Sequence, residues 1–393
     1  MAQDFVGSNN INLLTPSGQF GTRLAGGEDA ASPRYIFTHL SPIARYLFPE
    51  DDDVLLDYLE EEGQRIEPKF FCPIIPLLLV NGSQGIGTGW STFIPPHDPL
   101  SVVDYIRGKL DNQVDLPQIE PFVKGFSGVI ERETDGKGYK SYGRIQQIDN
   151  KTLLIDELPI GVWTGKYKDH LVKMQVKGTI ADFVENHTTT KVSFKVRLKP
   201  SQLNRMKQTG LEKAFRLTSN LQLTNMNAFS ENGKIHKFNS PESIADAYFP
   251  TRLSMYHERK LVLESKMEYT ATMLRNKARF IQMVSDGQID LIGGQKSKEE
   301  TSKILQDSGF TTGAELDAIR NQKSSHDNPS ESDSTVSSDF DYLFKMPLSS
   351  LTREKIEDLN NEASKTDSEL NEIHDTKPEQ LWMSDLEKLA SHL

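Results

Sequence analysis

The sequence predicts a mixed α/β chain of several domains, and three observations carry that reading. The chain has 393 residues, enough for two or three separate cores. Residues 126–131, 142–148 and 152–155 alternate apolar and polar positions between Gly- and Asp-rich turns, as strands do. Beyond Pro250 the texture changes to long charged stretches with apolar residues at helical spacing.

From the start of the chain, residues 11–14 read as a short strand and Thr15-Pro16-Ser17-Gly18 as a turn. Residues 19–27 carry the Gly and Arg content of a loop that approaches a phosphate backbone closely. Behind Ser32-Pro33 stands Arg34-Tyr35. Ile36, Phe37, Leu40, Ile43, Ala44 and Leu47 then recur at helical spacing, which puts Tyr35 in the first turn of a helix or just before it. Residues 51–65 read as an acidic helix. Asp51-Asp52-Asp53 suits either a solvated helix start or, as the sharper alternative, ligands for a hard cation. Residues 73–80 read as a buried strand or a short core helix, with Cys72 beside them as a small core residue.

Residues 81–90 place four glycines around Ile86, and no Gly-Lys-Ser/Thr follows to make a P-loop. Glycines let a backbone approach a ligand, so Ile86 is read as an apolar wedge that pries open a base step, or else as the core residue of a buried turn. Residues 104–110 are helical. Trp163, Lys166 and Lys168 open another helix, where a lone Trp serves either a core or a ligand. In residues 191–199, Val192, Phe194 and Val196 share one strand face, while Lys191, Lys195, Arg197 and Lys199 lie mostly on the other. Residues 252–284 and 355–373 form two long helices suited to an antiparallel coiled coil. Between them lies a compact piece interrupted at 322–339 by an insert that composition marks as disordered and acidic.

Composition excludes several classes. Hydrophobic residues make up 36% and charged residues 26%, and no run approaches the ~20 apolar residues of a membrane span, so no membrane partner is expected. One cysteine rules out an internal disulfide framework and suits a reducing compartment. Net charge is −11, yet residues 151–250 hold 15 Lys and Arg against 9 Asp and Glu. One basic module among acidic ones is compatible with DNA on one face. The histidines show no metal-ligand spacing, and no metal site is expected.

Arg34-Tyr35 has a chemistry of its own. A tyrosine hydroxyl with a pKa near 10 is a poor nucleophile unless a neighbour stabilises its phenolate, and an arginine does that while also holding charge on a phosphate under attack. The company of this pair carries a resemblance. Ser8-Asn9-Asn10, Gly18-Gln19-Phe20-Gly21-Thr22-Arg23, Gly26-Gly27, Ser32-Pro33-Arg34-Tyr35, Pro73-Ile74-Ile75-Pro76 and Gly85-Ile86-Gly87-Thr88-Gly89-Trp90 resemble the breakage-reunion region of eukaryotic type IIA DNA topoisomerases.

The resemblance implies an architecture. Residues 1–65 would end a winged-helix cleavage domain and residues 66–250 would form an α/β tower. Residues 251–288 and 352–393 would build the coiled-coil stalk, and 289–351 a helical exit gate. It also implies roles. Tyr35 falls on the family's covalent nucleophile, Arg34 on its transition-state arginine, and Gln19, Thr22 and Arg23 on the loop beside the cleaved backbone. Ile86 falls on the intercalating isoleucine and Trp163 on a DNA-backbone contact. Arg216, Leu217, Thr218, Ser219, Asn220, Leu221, Gln222, Leu223, Thr224 and Asn225 fall on a DNA-contacting segment. Glu28 departs from the pattern, because the family carries Lys after Gly-Gly.

The implied function is ATP-dependent passage of one duplex through a transient double-strand break held by 5′-phosphotyrosine links. It would serve relaxation, decatenation and sister-chromatid segregation in the nucleus, as an isomerase. The implied partners are double-stranded DNA and a second copy joined at the exit gate. Mg2+ and ATP would be bound by TOPRIM and ATPase domains outside these residues, so the chain reads as a fragment not competent alone. The competing reading is a non-catalytic, dimerising scaffold that shapes DNA, and it leaves the Arg34-Tyr35 pair without a task.

Overall fold

Short antiparallel strands organise the chain up to Pro241, and long helices take over after it. A computed structural model describes residues 1–134, 136–230, 232–289, 297–321, 339–347 and 352–393. They divide into two units. The first holds Met1–Phe48, Pro73–Thr251 and Asp385–Leu393, and the second holds Pro49–Cys72 and Arg252–Ser384.

In the first unit β1 (Leu14–Ser17) pairs antiparallel with β2 (Phe37–Leu40), Thr15 opposite His39. This corrects the helix expected from Tyr35. Residues 33–35 make a single 3-10 turn, and only Ala44–Leu47 is α-helical. The apolar spacing from Ile36 to Leu47 imitates a helix, but the β-branched and aromatic run Ile36-Phe37-Thr38 suits a pleated strand once β1 offers pairing partners. A second correction lies in the other unit. β3 (Tyr58–Glu61) and β4 (Gln64–Pro68) form a hairpin where an acidic helix was expected, closed by Glu62 and Gly63 at positive φ. Only Glu50–Leu55 is helical there, as a 3-10 stretch.

Back in the first unit, helix Leu77–Asn81 settles the 73–80 stretch as core helix, and Cys72 at the unit boundary is buried. The hairpin of β5 (Ser83–Ile86) and β6 (Ser91–Ile94) follows, then helix Pro99–Leu110, capped by Asp98 accepting from the Ser101 amide. The remaining strands are β7 (Val129–Arg132), β8 (Gly138–Tyr142), β9 (Arg144–Gln147), β10 (Thr152–Glu157), β11 (Asp182–Glu185), β12 (Phe194–Arg197), β13 (Thr218–Gln222), β14 (Met226–Phe229) and β15 (Ile235–Phe238). They form sheets ordered β11-β12-β10-β9 and β13-β8-β7, and a β14-β15 hairpin. Against the four-stranded sheet packs helix Thr164–Val176, whose Tyr167 and Leu171 meet Leu153, Ile155, Phe194 and Val196 in one core. The alternation read in residues 191–199 holds: Val192, Phe194 and Val196 are buried, and the four basic residues are exposed.

Helix Pro241–Ser285 runs from the first unit into the second, and its later part packs on Arg353–Asp375. Leu274, Ala278 and Ile281 bury against Leu359 and Ala363. The order of contacts is antiparallel, with Arg275 bridging Asp367 and Lys260 donating to the His374 carbonyl at 2.8 Å. Asp52, expected on a solvated surface, is buried in this unit. Its two oxygens take Arg252 at 2.7 Å and Arg259 at 2.6 Å, and both guanidiniums lie 4.4 Å from the Tyr256 ring, which stacks on Trp382. That long-range knot ties Asp52, in residues 49–72, to the helix that carries Arg252 and Arg259. Phe280, Ile289, Leu305, Phe310, Phe340 and Leu343 form a further core. Phe340 and Leu343 are fully buried in it. The acidic insert lies outside the described residues apart from Asp339.

Candidate cleavage site and wedge hairpin

The loop before Tyr35 is built on close backbone crossings. Gly21 sits at φ +102°, and a Cβ there would lie 2.5 Å from the Gly27 Cα, so only glycine lets the two strands of the loop cross. Gly26 plays the same part toward Trp163, whose indole occupies the space a Cβ would need, 2.3 Å away. Asp29 ties the loop together. It accepts from the Thr22 amide at 2.8 Å, from the Thr22 hydroxyl at 2.6 Å and from the Gln19 amide group at 3.3 Å. The Thr22 hydroxyl is the main cause that holds the Asp29 carboxyl below the usual carboxylate range. Sequence reading missed Asp29, although an acid inside a Gly-rich loop is a signal for such a clasp.

Arg23 turns the other way. It is buried, pairs with Glu157 and lies 3.4 Å from the Leu158 carbonyl. Glu157 also accepts from the Ser127 amide at 3.0 Å and hydroxyl at 2.8 Å. The Leu24 carbonyl receives the Gly165 amide at 2.9 Å. Expected at the DNA backbone, Arg23 is in this structure the bolt between the loop and the end of β10. Trp163 is likewise half-buried, edge-on to Phe5 at 5.9 Å, so its main work here is packing. Glu28 has a partner in Lys166 at 3.6 Å, both side chains being exposed.

Arg34 and Tyr35 stand free of that packing. Tyr35 is 71% exposed at the end of the 3-10 turn, with its amide donating to the Ser32 carbonyl at 2.9 Å. The Arg34 guanidinium lies 5.5 Å from the Tyr35 ring centroid. The tyrosine is thus open to solvent with a cation beside its ring.

Ile86 is 92% exposed at the end of β5, in the β5–β6 hairpin, whereas Tyr35 ends a 3-10 turn. This removes the buried-turn alternative. Of the segment 216–225, Arg216, Asn220, Gln222 and Thr224 are exposed, and Thr218 and Ser219 are half-buried. Leu217, Leu221 and Leu223 are buried and cannot offer side chains to DNA, because β13 alternates and sends them into the core. The Asn225 side chain is occupied within the protein: its amide donates to the Ser91 hydroxyl and its oxygen accepts from Asn227, each at 2.9 Å.

The fold thus brings to its surface an Arg-Tyr pair that follows a clasped glycine loop, and an isoleucine at the end of a strand in a glycine-rich hairpin. Comparison makes this specific. The family described as the A subunit of DNA gyrase/topoisomerase IV matches residues 1–387, and the chain belongs to that family. DNA topoisomerase 2 of Arabidopsis thaliana is 41% identical, with 100% of this chain covering 28% of that protein. DNA topoisomerase 2, mitochondrial, of Dictyostelium discoideum is 40% identical, with 100% of this chain covering 29%. The crystal structure of the Plasmodium falciparum topoisomerase II DNA-binding, cleavage and re-ligation domain superposes with a TM-score of 0.86 at 37% identity, covering 99% of this chain and 53% of that one. The chain therefore spans less than a third of the length of these full-length relatives.

Proposed function

We propose that this chain is the strand-cleaving and rejoining part of a type II DNA topoisomerase. The observation that carries it is the exposed Tyr35 beside Arg34, next to a loop held rigid by Asp29 and by Arg23–Glu157. In the reaction the Tyr35 oxygen forms a bond to the phosphorus and loses its proton. The bond from phosphorus to the 3′ oxygen breaks, and that oxygen leaves as a hydroxyl after taking up a proton. The 5′ end stays bound to Tyr35, so the bond energy is kept for the reverse step. Arg34 holds the charge that grows on the phosphate oxygens. Ile86 opens a base step and bends the duplex, at a cost of a few kcal/mol that extra contact offsets.

In the whole protein two copies would cut opposite strands, pass a second duplex and religate, and the copies would meet at the helical end of the second unit. In this reading the first unit ends a winged-helix domain and carries the tower, and the second forms stalk and gate. We place the enzyme with nuclear DNA; since one relative is named mitochondrial, cell fractionation decides the compartment. Mg2+ and ATP belong to the whole enzyme in this reading. Among the described residues no group of three His, Cys, Asp or Glu side chains could hold a metal ion, and Asp52 is committed to two guanidiniums. The described residues therefore offer Mg2+ no such site, and no step is assigned to either group.

The test is a trapping assay. The chain, supplied with its missing metal-binding portion and magnesium, is mixed with end-labelled duplex and denatured, and label bound to protein is counted. Label lost in Tyr35→Phe but kept in Tyr46→Phe supports the proposal. A retarded DNA complex without any label would favour the scaffold.

A further inference from the structure

The wedge poses a mechanical question. An isolated two-stranded hairpin is marginally stable in water, and the tip beyond Ile86 contains Gly87 and Gly89. Beside it lies a groove of about 570 Å³, lined among others by Ile86, Trp90, Phe229 and Ile235, which leaves the tip room to move sideways. A side chain can push into a base stack only if something resists the recoil.

The resistance comes from β14. The Asn227 side-chain amide donates to the Ser91 carbonyl at 2.8 Å and to the Asn225 oxygen at 2.9 Å. Asn225 in turn donates to the Ser91 hydroxyl at 2.9 Å, and its carbonyl accepts the Phe93 amide at 2.9 Å. The Asn227 backbone amide reaches the Thr92 hydroxyl at 3.3 Å. Ser91 lies directly opposite Ile86 in the hairpin register. The two asparagines thus grip the return strand at the point that backs the wedge.

We propose that Asn227, with Asn225, is a positioning residue for DNA bending, fixing the β5–β6 hairpin so that Ile86 can open a base step. This rests on the reading of Ile86 as a wedge. It also gives Asn225 a task other than the direct DNA contact expected of it.

The experiment measures bending by energy transfer between the ends of a short labelled duplex at saturating chain, for wild type, Ile86→Ala, Asn227→Ala and Asn225→Ala. Each protein is tested on a fully paired duplex and on one with a central mismatched step that is already unstacked. Wild type bends both. Ile86→Ala and Asn227→Ala should lose most of the energy-transfer rise on the paired duplex. Asn227→Ala should also bind it about tenfold more weakly, and regain both bending and affinity on the mismatched one, where little force is needed.

Normal bending of the paired duplex by Asn227→Ala, with Ile86→Ala impaired, overturns the clamp and leaves the wedge standing. Equal loss on both duplexes also overturns it, since a damaged fold would not be rescued by a softer substrate. Normal bending by Ile86→Ala removes the wedge reading itself, and the clamp with it.

Discussion

Two Arg-Tyr pairs stand eleven residues apart in this chain, Arg34-Tyr35 and Arg45-Tyr46, and they differ in everything but their names. Tyr35 is exposed on a 3-10 turn ahead of an edge-lying β2, with a guanidinium near its ring. Tyr46 is half-buried in a short helix, with its ring stacked on His392 at 4.0 Å. One tyrosine is offered outward and the other is spent on holding the C-terminus to the first unit. A third arginine, Arg23, completes the comparison, because it is buried against Glu157 whereas Arg34 is exposed. Chemistry here follows from surroundings, not from residue type.

The largest effect should come from the tyrosines. Tyr35→Phe abolishes covalent linkage and leaves the melting temperature unchanged, whereas Tyr46→Phe keeps linkage intact; if both lose it, exposure is not what separates them. Next comes Arg23. Glu157→Ala leaves a buried guanidinium unpaired, and urea unfolding should show a loss of about 3–5 kcal/mol. A loss below about 1 kcal/mol would mean that Arg23 simply swings out to solvent. Arg34→Ala should lower the cleavage rate by roughly 10²–10³-fold in single-turnover assays, with stability unchanged, and Arg45→Ala should leave the cleavage rate as it is.

The loop clasp makes a pH prediction. Because the Asp29 carboxyl is held below its ordinary range, mainly by Thr22, the folded clasp favours the ionised form. The stabilisation is complete above the unfolded carboxylate value and is lost as pH falls through the lower, folded one. An NMR titration of Asp29 should show a depressed midpoint that returns to the ordinary range in Thr22→Val. The smallest effect belongs to Glu28, whose bridge to Lys166 is exposed. Glu28→Lys should steepen the salt dependence of DNA binding by about one unit of slope, one phosphate contact more.

Much of this was legible in the chain. The Arg34-Tyr35 pair, the glycine loop and the isolated Ile86 were each marked by residue types that a plain core would not assemble. The alternation from Val192 to Val196 named its own buried face. What failed was local pattern without partners: residues 36–47 had a helix's spacing but β1 was waiting for them, and residues 58–68 had a helix's acidity but closed as a hairpin. Leu217, Leu221 and Leu223 lie in the segment that the resemblance marks as DNA-contacting, yet alternation along β13 and its two flanking residues turns all three inward.

By itself, then, the sequence determined the chemistry available to this protein. It set a tyrosine behind an arginine, glycines where backbones must cross, and an apolar point on a hairpin. Only the tertiary structure decided which charges act and which merely hold. Arg23 meets Glu157 across 134 residues, Asp52 meets Arg252 across 200, and Asn227 meets Ser91 across 136. Whether a guanidinium is a tool or a bolt depends on whether water or a carboxylate surrounds it, and that is settled by partners far along the chain.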